Sequence, residues 1–231
     1  MALPFYLAMT SWEFQSCPQL PTHTAWMACH FSPYTPGLSN MPQALPENSL
    51  LMVNDRIPPH GHDPSYIAQQ LIDAVQQFQP RGVVLDFQRP FDRETQQIAI
   101  TIQKALPCPV AVTPIYAEEC SGAVFLPPVL PNQRLLDHLN PWNDKEIWLE
   151  TEKPGLCLTL RDTGCTDEPF WDLPEEVGFP DTELCCHYRI QIMENQAVFS
   201  LYRTPEDQEA LLEQAEKSGV TLCVGLYQQF R

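Results

Sequence analysis

Three stretches of this chain carry both a start and a stop signal for a helix, and each sits among short apolar runs. Asp63 precedes Pro64 and a helical recurrence of Ile67, Leu71, Ile72, Val75 and Phe78 that Pro80 closes. A carboxylate cap followed by proline at the first helical position suits the unpaired amides of a helix N-terminus. Asp92 opens a second segment, with Ile98, Ile102, Ala105 and Leu106 on one face before Pro107. Thr204-Pro205-Glu206-Asp207 opens a third, with Leu211, Leu212 and Ala215 inward and Gly219 just past its end. The runs 5–12, 24–31, 49–56, 82–88, 109–116, 122–129, 196–203 and 220–227 are rich in Val, Leu, Phe and Tyr and bounded by turn residues, so they predict strands. A shorter run, 146–150, reads as a further strand, and 187–202 as a hairpin around Glu194-Asn195. Strand, helix, strand recurs across 49–88, 82–116 and 196–227, an order that calls for parallel strands joined by crossovers. The expected fold is α/β: a (β/α)8 TIM-like barrel with reduced helices, formed by residues 1–231 as one domain, with an open α/β sheet as the competitor.

Composition narrows the function. Thirteen Lys and Arg against 29 Asp and Glu give a formal charge of -16. Such a surface repels phosphate backbones and anionic bilayers, which argues against nucleic-acid or membrane partners. No run approaches the roughly 18 apolar residues of a membrane span. The first residues, MALPFYLAMTSWEF, lack a basic start and long apolar core, so they read as a strand rather than a signal peptide. A cytoplasmic chain is expected, its nine cysteines free thiols. Residues 144–186 hold twelve acids, Glu175 and Glu176 among them, against Lys145, Lys153 and Arg161. They read as an acidic insertion ahead of a seventh strand at 196–203, and as a surface on which a basic protein partner could dock.

No glycine-rich nucleotide loop and no G-x-S-x-G elbow occurs, so no cofactor is expected. His60-Gly61-His62-Asp63 clusters three potential ligands, yet Asp63 is better used as a cap. Cys157, Cys165, Cys185, Cys186 and His187 lack zinc-site spacing, and no metal is expected.

The informative stretch is RGVVLDFQRP, 81–90. Side chains alternate across a strand, so Val83, Leu85 and Phe87 share one face and Val84, Asp86 and Gln88 the other. In a barrel the second face looks inward and brings Asp86 and Gln88 to the C-terminal mouth, where active sites of such barrels are built. Other residues at expected strand ends would converge there: Trp12 and Glu13, His30, Asp55 and Arg56, Tyr116 and Glu118, Tyr202 and Arg203, and Tyr227 and Gln228. Together they would wall a pocket with aromatics and a few polar anchors. Among carboxylates, Asp86, Asp55 and Glu118 are the candidates for acid–base catalysis, two such groups in proximity having split pKa values.

Arg81-Gly82-Val83-Val84-Leu85-Asp86-Phe87-Gln88 resembles the fourth-strand motif D-G-x-D-x-D-x-E of the chitinase-like glycoside hydrolases, family eighteen. Gly82, Asp86 and the aromatic Phe87 are kept; Arg81 and Val84 replace acids, and FLPPVLP stands where the family has an aromatic-plus-Asp signature. The resemblance implies a (β/α)8 barrel, with Gln88 in place of the Glu that serves the family as general acid. An amide cannot deliver a proton at neutral pH, and losing a positioned acid costs about 100- to 10,000-fold. The resemblance therefore implies a barrel that binds a carbohydrate or small polar ligand through Gln88 without hydrolysing it. The alternatives are a hydrolase or isomerase using Asp86 with Asp55 or Glu118, and an interaction module using the acidic 144–186 surface.

Overall fold

A computed structural model describes residues 3–153, 155–174 and 177–230, so Glu175 and Glu176 of the acidic segment lie outside the described residues. Along the chain come β1 (Phe5–Met9), β2 (Thr24–Phe31), β3 (Leu38–Ser39), β4 (Leu50–Asn54), β5 (Gly82–Asp86), β6 (Val110–Val112), β7 (Ala123–Leu126) and β8 (Ile147–Thr151). Five more follow, β9 (Gly155–Arg161), β10 (Gly164–Phe170), β11 (Phe179–Asp181), β12 (Cys186–Met193) and β13 (Gln196–Tyr202), and β14 (Val220–Leu226) is last. The helices are α1 (Ser11–Ser16), α2 (Pro64–Phe78), α3 (Arg93–Ala105), α4 (Pro114–Ala117), α5 (Leu135–Leu139), α6 (Pro205–Lys217) and α7 (Tyr227–Phe230).

Parallel strands β1, β2, β4, β5, β6, β7, β8 and β14 pair in sequence, and a β1–β2 pairing closes them into the expected eight-stranded barrel with few helices. Its interior is filled by alternate residues: Tyr6 and Ala8, Ala25, Leu50 and Met52, Val84, Ala111, Ala123 and Phe125, Trp148, and Leu222 and Val224. Trp148 is 1% exposed and needs room across the lumen. Gly82 provides it, since a Cβ there would lie 2.5 Å from the Trp148 ring. Full burial of a large apolar side chain stabilises the fold by roughly 1.5–3 kcal/mol.

The capped helices form where their signals lie. Asp63 accepts from Ser65 N at 2.9 Å and Asp92 from Thr95 N at 3.0 Å, and Thr204 and Asp207 form a reciprocal capping box. Strand assignments differ in several places. The run at 5–12 is a strand only over Phe5–Met9, because Thr10 caps α1. The run at 109–116 is a strand only over Val110–Val112, because Pro114 takes the first position of α4. The seventh barrel strand is β8, the shorter run, while 196–203 supplies β13 of a separate antiparallel sheet.

That sheet, in the order β10-β9-β13-β12-β11, belongs with α5 and α6 to a second compact unit built from Pro128–Pro141 and Thr151–Val220. The unit thus reaches well past the acidic segment. Buried Arg203 organises it, donating to the carbonyls of Val129 at 2.6 Å, Cys185 at 3.1 Å and Leu130 at 3.2 Å. His187 Nδ1 lies 2.6 Å from Asp207 Oδ2 and ties β12 to α6. Among the described residues no helix is long and apolar enough to cross a membrane.

Candidate functional site

The carboxyl ends of β2, β4 and β5 carry the polar residues of the barrel mouth. On β2 the register slips between Trp26 and Cys29, so that Cys29 pairs with Val53 and His30 with Asn54. Unbroken alternation would have continued the inward Ala25 and Met27 with Cys29. The bulge re-phases the strand and turns His30 inward instead. Asn54 pins this irregularity: its Nδ2 donates to the carbonyls of Met27 at 3.3 Å and Cys29 at 3.0 Å. On β5 the inward face runs from Val84 to Asp86, and Gln88 follows just past the strand end.

These residues line a cavity of about 580 Å³, together with Thr10, Ser11, Met27, Ala28, Asn40, Met52, Asp55, Arg56 and Ile57. The lining mixes polar side chains with the apolar Met27, Ala28, Met52 and Ile57 and includes no Phe, Tyr or Trp among the described residues, so the expected aromatic walls are not there.

Two carboxylates stand in this mouth in different surroundings. Asp55 is 2% exposed, and both of its oxygens are engaged: Oδ1 accepts from Gln88 N at 2.9 Å and Oδ2 from Arg89 N at 3.0 Å. It therefore fixes the path of the chain after β5. Asp86 is half-buried, and burial raises its pKa above the ordinary carboxylate value. The hydrogen bond from Gln88 Nε2, at 2.9 Å, partly offsets this, and the neighbouring Asp55 charge adds to it. Gln88 thus presents its amide to Asp86 and is itself exposed.

The other expected site residues disperse. Trp12 is 72% exposed on α1, and Glu13 closes the capping box with Thr10 rather than reaching the cavity. Arg56 is exposed but does line the cavity. Tyr116 is buried on α4, its ring edge-on to Phe87 and stacked on Phe91, because the chain turns into a helix at Pro114. Glu118 is exposed at the end of that helix and does not line the cavity. Tyr202 and Arg203 lie in the second unit, where the Tyr202 hydroxyl accepts from Gly178 N. Tyr227 begins α7, its hydroxyl 3.6 Å from Cys17 Sγ, and Gln228 is exposed beside it. Asn54, Thr10 and Met52 were missed as lining residues. Their signal was parity: Met52 and Asn54 sit beside Val84 and Asp86 in the strand register.

Around the histidine loop, His62 Nδ1 accepts from Gly37 N at 3.0 Å while Asp63 caps α2. His60 pairs with Glu94 at 3.0 Å. His60, Asp92 and Glu94 are the described residues that could hold a cation, their ligand atoms lying within 4.8 Å of one another, although Asp92 Oδ2 already serves Thr95.

No protein-family model matches the chain, and no curated protein matches it. Solved structures do match by fold. A glycoside hydrolase family 18 chitinase from Cycas revoluta, a mutant in complex with (GlcNAc)4, aligns with a TM-score of 0.60 at 10% identity, covering 99% of this chain and 96% of its own. The chitinase-like agglutinin of Robinia pseudoacacia aligns with a TM-score of 0.60 at 12% identity, covering 96% and 94%. A family 18 N-acetylglucosaminidase from Paenibacillus barengoltzii gives 0.59 at 11% identity with the same coverage. The barrel is thus the fold of the family 18 chitinases and chitinase-like proteins, at a level of identity where fold alone is shared.

Proposed function

We propose that this barrel binds a carbohydrate or other small polar ligand at its C-terminal mouth without performing glycoside hydrolysis. The observation that carries this reading is the Asp86–Gln88 pair. The residue that would stand as proton donor beside Asp86 is an amide, and that amide is already bonded to the carboxylate. Asp55 offers no replacement, because two backbone amides occupy its oxygens. Thr10, His30, Asn54 and Arg56 supply further polar groups around the same cavity. Such a lining suits recognition by hydrogen bonds, with exposed Trp12, next in sequence to cavity-lining Ser11, as a candidate for stacking. Two fold neighbours fit the reading: one is an agglutinin, and the other is a mutant chitinase holding (GlcNAc)4. Nine free thiols fit a reducing, cytoplasmic setting.

Titration of (GlcNAc)4 by calorimetry, beside chromatography of the incubated sugar, tests the proposal. Saturable binding without cleavage is expected, and Gln88→Ala should weaken it by about tenfold, the worth of one hydrogen bond to a ligand. Cleavage abolished by Asp86→Asn would instead establish the hydrolase reading, which the raised Asp86 pKa favours. No binding of chitin oligosaccharides or of a wider glycan panel would overturn the carbohydrate assignment.

A further inference from the structure

The second unit carries an amphipathic sheet whose apolar face is only partly covered. Residues opposite one another across antiparallel strands share a face, so the pairings align three rows. Tyr188, Leu201 and Leu156 form the first, Ile190, Phe199 and Leu158 the second, and Ile192, Ala197 and Leu160 the third. The reverse face of the same strands is mixed: His187, Arg189, Gln191, Gln196, Ser200, Thr159 and Arg161 share it with Cys157, Met193, Val198 and Tyr202. A face that is apolar in every row is what an antiparallel sheet needs on the side that packs on a core. Here the first row is covered, Leu156 and Leu201 being 5% and 8% exposed, while the others open outward: Ile190 is 45%, Leu160 43% and Ile192 83% exposed.

Acids rim the open end. Asp162 sits in the β9–β10 turn, Glu194 in the β12–β13 turn, and Asp167 faces Leu158 from the edge strand β10. No ion pair among the described residues engages any of the three. Leu160, Ile192 and Ala197 line a shallow recess of about 390 Å³ whose rim includes Asp162 and Glu194; the recess also holds Arg161, whose Nε donates to Gln196 Oε1 at 3.0 Å.

The geometry points to this face as a docking surface for a partner polypeptide segment with an apolar centre flanked by basic side chains. Apolar groups of the segment would cover Leu158, Leu160, Ile190 and Ile192. Its lysines or arginines would lay their stems along the same surface and reach Asp162, Asp167 and Glu194. A second copy of this chain is the poorer occupant. Each copy carries a formal charge of -16, and pairing like faces would set the acidic rims against each other.

A short synthetic peptide with a central run of valines flanked by lysines, and its glutamate-for-lysine counterpart, test this with the full chain. Methyl NMR should show shifts at Leu158, Leu160, Ile190 and Ile192 with the lysine peptide alone. Ile192→Gln, at a side chain exposed enough to leave the fold intact, should weaken binding by about tenfold, as expected of an apolar contact that the partner desolvates. Asp162→Asn with Glu194→Gln should flatten the loss of affinity between about 50 and 300 mM salt, because screened rim charges no longer contribute. Shifts confined to other surfaces, unchanged affinity in Ile192→Gln, equal binding of both peptides or no binding of either would overturn the proposal. Concentration-dependent dimerisation abolished by Ile192→Gln would overturn it too, naming a second copy as the occupant.

Discussion

Asp55→Asn separates a structural from a catalytic role for the most buried carboxylate of the barrel mouth. Asp55 is 2% exposed and accepts two backbone amides, Gln88 N at 2.9 Å and Arg89 N at 3.0 Å. Asparagine keeps the shape but only one acceptor, and its NH2 then faces one of the two N–H groups. A hydrogen bond to a charged acceptor contributes about 1.5–3 kcal/mol and a neutral one about 1 kcal/mol. One bond is lost and the other weakened, so the expected cost is about 3 kcal/mol. For a chain of this size that corresponds to a fall in Tm of about 6–12 °C. Thermal and urea unfolding of the wild type, Asp55→Asn and Asp55→Ala at neutral pH read this directly, and the Gln88 amide resonance reports whether the loop has moved. A loss of stability within about 0.5 kcal/mol, the range of a neutral surface change, would refute the assignment of Asp55 as a loop anchor.

Three other substitutions or treatments have definite outcomes. Asp86 has a pKa raised by burial, so its protonated form favours the folded state, and that contribution is lost as pH rises through the folded value. Asp86→Asn, which retains an acceptor for Gln88 Nε2, should therefore be more stable than wild type at neutral pH, with the gap closing below the ordinary carboxylate range in urea melts. Gly82→Ala places a Cβ 2.5 Å from the Trp148 ring and 2.8 Å from the Pro109 carbonyl oxygen, and should cost about 1–3 kcal/mol by overpacking. Trp148→Leu should relieve only part of that cost in a double-mutant cycle, since the Pro109 oxygen stays in place. Burial pushes the thiols of Cys29, Cys186 and Cys223 up to about 12. Iodoacetamide at mildly alkaline pH should modify exposed Cys165 in the native protein and reach those three only after denaturation, as peptide mass spectrometry would show.

Helix positions were legible because caps are local: Asp63, Asp92 and Thr204 act within three residues of themselves. Another local signal was passed over, since Thr10 and Glu13 stand at capping-box spacing and mark the end of β1. The choice of seventh strand turned on period. Gln196 and Ser200 interrupt the apolar residues of β13, as in a half-covered antiparallel strand, whereas Ile147, Trp148 and Leu149 are apolar without a break, as a doubly covered parallel strand requires. Length and aromatic content favoured the wrong one. At the mouth, alternation along β5 brought Asp86 inward as expected. The bond between Asp55 and the amides of Gln88 and Arg89 spans more than thirty positions, and nothing local encodes it. The bulge that turns His30 inward is likewise set by pairing with β4 rather than by any residue of β2 alone.

The pairing of β14 with β1 joins Phe5 to Cys223 across almost the whole chain. During synthesis the first seven barrel strands emerge long before the eighth, and the stretch Thr151–Val220 must follow before closure is available. Contacts of such sequence separation form late and slowly. The hairpins β9–β10 and β12–β13 are local by comparison and complete themselves early. Through that interval β1 and β8 are left as open sheet edges, the kind of surface on which nascent chains misassemble. Arrest of translation just before β14 would therefore leave a chain with a finished second sheet and an unclosed barrel, the species on which molecular chaperones would act.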